Sequence, residues 1–280
     1  MFTWPDKPHW LRHGLWMLCL LAGGVQATPQ RIVSLTPHIT EQLFAIGAGA
    51  QVIAVDEASD WPQSVRNLPK VASYQSVNLE RLLALQPDLV IVWDGYQQTL
   101  RDQLRQWQLP VLEMQSAHLD DLPTDLRRLG TVTGHRQQAD ALAASLEQRL
   151  ARLRQQQRQQ RPVRLFFQLW NPPLTTVARG GWIQDAIALC GGDNPFADSL
   201  VAYPQVDLER VLLQKPELIL SVQGADSLQH WQQWPNLPAV QHQQLKTLQP
   251  DRLQRLTPRT LDGVEELCQR IAEARHEPPH

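Results

Sequence analysis

The strongest constraint on this chain is that part of it is written twice. Tyr74 to Ile91 and Tyr203 to Leu220 align without a gap over 18 residues, at an offset of 129. Tyr, the Leu-Glu-Arg triplet, Pro and Leu recur in register in the two copies. A short match arises cheaply, but an ungapped match of this length points to two copies of one folding unit. Each copy carries the same local physics. Asn78 or Asp207 stands at a helix N-cap. Glu80 or Glu209 falls in the first turn, where the helix dipole favours a carboxylate. Pro87 or Pro216 then stops the short helix. An all-apolar run follows, Leu89 to Trp93 or Leu218 to Val222, which suits a strand covered on both faces of a parallel sheet.

The duplication extends more loosely on both sides. Arg31 to Leu35 and Arg164 to Leu169 read as strands, each leading through a proline-containing loop to a helix that ends in glycine, Glu41 to Gly47 and Ile183 to Gly191. Downstream, Thr99 to Leu109 reads as a helix and Val111 to Met114 as a strand. Leu228 to Trp234 and Leu245 to Leu248 are their counterparts. Strands alternating with helices predict an α/β protein of two Rossmann-like lobes with central parallel sheets. Between the lobes, Arg136 to Gln160 contains no Gly or Pro and places Leu142, Leu146, Leu150 and Leu153 on one helical face. A single helix of about 25 residues, roughly 37 Å long, therefore joins the lobes as a stiff bridge. The expected organisation is residues 28–134 as an N-terminal lobe, 135–161 as the linking helix and 162–280 as a C-terminal lobe, with a ligand cleft between the lobes.

Residues 1–27 read as a secretory signal peptide. Lys7 and Arg12 precede the apolar run Leu15 to Ala22, and Val25-Gln26-Ala27 offers a cleavage site. The alternative is an uncleaved anchor, although the run is shorter than the roughly 20 residues a span needs. Export predicts a periplasmic protein. It also leaves two cysteines, Cys190 and Cys268, and an even pair in an oxidising compartment is expected to form a disulfide rather than stay as two free thiols. The leader also holds three of the ten tryptophans, so seven belong to the exported chain.

Composition narrows the function classes. With 42% hydrophobic residues, 19% charged and a net charge of −2, the chain is neither disordered nor basic enough for a nucleic-acid footprint. No P-loop or dinucleotide fingerprint follows a strand, no Ser/His/Asp arrangement is recognisable, and no two histidines share metal-ligand spacing. An enzyme, for instance a Rossmann-like oxidoreductase, would need such fingerprints. His38 is the one histidine near the expected cleft. It reads as an exposed loop residue, with ligation of a metal carried by a ligand as the less favoured alternative.

Six motifs carry a resemblance: Ser34 to Glu41, Asn78 to Arg81, Asn171-Pro172-Pro173, Cys190 to Asn194, Pro204 to Val206 and Thr257 to Arg259. Their order over residues 30–272 resembles that of the class III substrate-binding proteins of ABC importers, within these the corrinoid-binding members. The resemblance implies a receptor, not an enzyme, with no resident cofactor. Its cargo would be cobalamin or a related corrinoid such as cobinamide. A haem- or ferric-siderophore-binding receptor of the same fold is the alternative. It further implies that the chain is a monomer and that Glu80 and Glu209 dock one lobe each on a permease dimer with its ATPase subunits. The ligand-facing residues it implies are Tyr74, Trp93, Trp170, Tyr203, Asp251, Arg252 and Arg255. A corrin ring is large, flat and mostly apolar with amides on its rim, which suits aromatic walls and polar edges. The chain departs from the family pattern at Ala58, which stands for a tyrosine, and at Tyr74, Tyr203 and Arg252, which stand for tryptophans. The pocket is therefore expected to differ in shape.

Overall fold

The computed structural model describes residues 28–73, 75–94 and 98–276. The expected leader, residues 1–27, and Tyr74 lie outside them. Five parallel strands form the first sheet: β1 (Ile32–Ser34), β2 (Val52–Asp56), β3 (Lys70–Ala72), β4 (Leu89–Trp93) and β5 (Val111–Met114), in the order β3-β2-β1-β4-β5. Helices α1 (Pro37–Ala45), α2 (Leu79–Ala84), α3 (Gln98–Gln106) and α4 (Asp121–Thr133) connect and cover it. Helix α5 (Arg136–Gln157) leads to a second parallel sheet of β6 (Val163–Gln168), β7 (Gly192–Asp193), β8 (Leu218–Ser221) and β9 (Leu245–Thr247), ordered β7-β6-β8-β9. Around it lie α6 (Trp182–Leu189), α7 (Leu208–Gln214), α8 (Pro238–Gln241), α9 (Pro250–Leu253) and α10 (Thr260–His276). This is the expected α/β fold of two parallel-sheet lobes. Among the described residues, no helix is long and apolar enough to cross a membrane.

The apolar strands are buried on both faces, as their composition demanded. In β4, Leu89 and Ile91 face one hydrophobic cluster, while Val90 and Val92 face another. In β8, Leu218 and Leu220 join that first cluster and Ile219 a third. The first cluster is continuous across both lobes, running from α1 and α4 through α5 to α6 and α10.

The repeat survives as geometry. Helices α2 and α7 are followed by Gln86 and Lys215 in the left-handed region, at φ 45° and 49°, a common stop at a helix C-terminus, and a proline comes next in each copy. Next to them, Asp88 accepts hydrogen bonds from the backbone amides of Gln30 and Arg31, and Glu217 accepts one from Arg164. The copies differ at their caps. The Asn78 side chain accepts from the Arg81 amide at 2.9 Å, whereas Asp207 occupies the N-cap of α7 without a side-chain cap bond.

Helix α5 spans 22 residues, about 33 Å, and ends three residues before the expected Gln160. Leu146, Leu150 and Leu153 are buried on its inner face, and Leu142 is half-buried. A Cβ at Gly130 would collide with the Ala139 methyl, so glycine lets α4 approach α5. Cys190 and Cys268 form the disulfide, with Cα atoms 4.6 Å apart, tying the end of α6 to α10. The segment expected as a helix from Leu228 to Trp234 is a 3-10 helix over Ala225–Gln233. Its Trp231 is fully buried against Phe166 and donates to Gln168 Oε1 at 2.9 Å.

Candidate functional site

A cavity of about 830 Å³ opens at the carboxyl ends of the first sheet, where loops of parallel α/β sheets converge. Its lining comes from the loop after nearly every strand. Thr36, Pro37 and His38 follow β1, Asp56 and Ala58 lie at and after β2, and Gln75 to Val77 follow β3. Trp93 ends β4 and Ser116 follows β5. Leu100 and Gln103 of α3 complete that side. The second lobe supplies Trp182, the first residue of α6, and Gln254 to Leu256 after α9.

Trp93 is half-buried and pinned: its indole N–H donates to the Ser116 carbonyl at 3.3 Å. The His38 ring meets it edge-on, with centroids 5.7 Å apart and planes at 89°. Contrary to the expected loop position, His38 is the second residue of α1 and is half-buried. Burial, with Arg255 nearby, pushes its imidazole down to about 4, so it is uncharged at neutral pH. Behind the wall, the Ser116 hydroxyl donates to the buried carboxyl of Asp125, which burial and nearby Asp121 raise to about 6. Asp56 is also raised by burial, against hydrogen bonds from Ser59 and the Ala58 amide. Trp182 is fixed by its indole N–H on the Leu253 carbonyl at 2.7 Å.

Arg255 joins the lobes at the cavity edge. It donates to Asp60 Oδ1 at 2.6 Å, Glu41 Oε1 at 3.2 Å and the Ala58 carbonyl at 3.1 Å. The Glu41 side chain is only 3% exposed and also binds Arg259, whose guanidinium stacks on Trp61 with its carbon 4.4 Å from the ring centroid. Gln42 adds a hydrogen bond to the Leu256 carbonyl.

The structure thus brings Trp93 and Arg255 together in the cavity. It places four other expected ligand residues outside the lining. Asp251 and Arg252 sit on α9 and are exposed, because that helix buries Leu253 instead. Trp170 and Tyr203 are 55% and 46% exposed on second-lobe loops bridged through Thr175. Glu80 and Glu209 are exposed in the first turns of α2 and α7. Sequence reasoning did not single out Trp182, Asp56 or the glutamines at 75, 103 and 254. Trp182 had a signal: it opens α6 just after its N-cap, as Pro37 opens α1.

The periplasmic binding protein family matches residues 32–252. The vitamin B12-binding protein of Vibrio cholerae serotype O1 is 40% identical over 242 residues, covering 85% of this chain and 88% of that protein. The crystal structure of the periplasmic vitamin B12 binding protein BtuF of Vibrio cholerae superposes with a TM-score of 0.83 at 38% identity, covering 89% of this chain and 99% of that one. The periplasmic heme binding protein HutB of Vibrio cholerae superposes with a TM-score of 0.75 at 26% identity, covering 86% and 98%.

Proposed function

This chain belongs to the periplasmic binding protein family, and on that premise we propose that it captures vitamin B12 or a related corrinoid in the periplasm and delivers it to an ABC importer. The observation that carries the reading is the chemistry of the cavity wall. Trp93 and Trp182 offer large flat apolar faces, and Gln75, Gln103, Gln254 and Ser76 offer neutral hydrogen-bonding groups. That combination matches an apolar macrocycle rimmed with neutral amides.

Haem presents a different problem, because its propionates need cations. Among the described lining residues Arg255 is the one cation that is charged at neutral pH, and Glu41 and Asp60 already hold it. The names of the vitamin B12-binding relatives, at higher identity than the haem-binding neighbour, support the same choice.

On this reading Trp170, Tyr203, Asp251 and Arg252 form the outer rim, touching the parts of a large ligand that project beyond the cavity, and Tyr74 is a further ligand contact. Residues 1–27 direct export and are removed. The receptor acts as a monomer, without a resident cofactor and without catalysing a reaction. Glu80 and Glu209 are its contacts with the permease dimer, which works together with the ATPase subunits of the importer. Titration of the purified protein with cyanocobalamin, cobinamide, haemin and ferric chelates, followed by calorimetry and absorbance, tests the reading. A corrinoid is expected to bind at micromolar concentration or below; no corrinoid binding, or haemin alone binding, overturns it.

A further inference from the structure

The His38 side chain is of a type able to ligate a metal, and it makes no hydrogen bond to the cavity wall. It lines the cavity, and neither ring nitrogen has a hydrogen bond among the described residues. Its position is nonetheless set. Pro37 starts the helix that carries it, and its ring packs edge-on against Trp93, itself held by Ser116. Beside it, the buried Thr36 hydroxyl also lacks a partner. The Thr36 hydroxyl is costly to leave unmet, and the half-buried imidazole beside it lines the same cavity with both nitrogens open to a group there.

The imidazole is uncharged at neutral pH, so one ring nitrogen has a free lone pair. Among the described residues no three His, Cys, Asp or Glu side chains gather to hold a metal ion. A lone imidazole therefore does not make a site for a bare cation. It suits a metal whose other positions are already filled by its own macrocycle, since one axial nitrogen then completes the coordination.

We propose that His38 is an axial ligand to the cobalt of a bound corrinoid whose axial position carries exchangeable water. A ring nitrogen forms the bond to cobalt, and the displaced water leaves to solvent. This rests on the corrinoid reading above and adds a specificity to it: forms with an exchangeable axial water are held more tightly than forms with both axial positions blocked.

The test compares diaquocobinamide with dicyanocobinamide, whose axial positions are both filled by cyanide, at pH 7. With the unmodified protein, diaquocobinamide should bind with a shift of its visible and near-ultraviolet bands. His38→Ala and His38→Gln should both abolish the shift and weaken binding by about tenfold or more, as loss of a ligand should exceed the effect of outer-shell changes. His38→Ala should weaken diaquocobinamide about tenfold more than dicyanocobinamide, and an unchanged circular dichroism spectrum shows that the variant is folded. The proposal is overturned if the diaquo bands do not move on binding or if His38→Gln retains the shift. It is also overturned if His38→Ala weakens both corrinoids equally, because the ring then acts by packing alone. Failure of the unmodified protein to bind either corrinoid overturns the underlying function instead.

Discussion

Glu41 receives hydrogen bonds from two arginines that lie more than 200 residues away along the chain. Its carboxylate is almost wholly buried, so the pairing is what makes its charge tolerable there. Glu41→Ala leaves Arg255 and Arg259 without that acceptor and is expected to cost about 2 kcal/mol, since hydrogen bonds to charged groups contribute more than neutral ones. Urea unfolding monitored by circular dichroism measures it; an unchanged midpoint would show that the pair is neutral to stability. Asp125 makes a pH prediction. Its carboxyl is raised from 3.8 to about 6 in the folded chain. Between those values the folded state holds a proton that the unfolded state has released, so stability falls as pH rises from about 4 through about 6. Asp125→Asn should flatten that part of the stability curve, read from denaturant midpoints across pH. An unaltered slope would place the titration elsewhere.

Elements repeat the theme in local form. Helices α2 and α7 share a glutamate in the first turn and a left-handed residue before proline, yet only Asn78 makes its cap bond. These features were readable because they depend on neighbours within a few positions. Helix boundaries were less so. Helix α1 starts at Pro37, four residues before the expected Glu41, because proline fits the first helical turn. The disulfide fastens elements that are distant in sequence, at a separation of 78 residues. Replacing both cysteines with serine is expected to cost about 4 kcal/mol by freeing that loop in the unfolded chain. Thermal or urea unfolding of the double variant measures the loss, and a change near zero would place the bridge's effect outside chain entropy.

At the scale of the whole molecule, two sheets share one continuous core and a cavity whose wall is built by both lobes. Glu80 and Glu209 occupy equivalent first turns on the two lobes, exposed and without an ion pair among the described residues. Paired acidic groups of this kind steer association and set its register. The double variant Glu80→Ala with Glu209→Ala is expected to weaken binding to the importer, measured on permease in nanodiscs, and to leave corrinoid affinity unchanged. Lost corrinoid affinity would place these residues in ligand binding instead. The repeat, the doubly buried strands, the long bridging helix and the cysteine pair could all be read from the order of residues, because each is a local periodicity or a count. The cavity wall could not. Trp93 was visible at the end of a strand, but Trp182 reaches the site only because α6 packs where it does, and Arg255 meets Glu41 only because the lobes close on each other. Local spacing dictates which backbone forms. Which side chains then share a cavity depends on how buried faces pack across some 200 residues of chain, and no spacing within a segment records that.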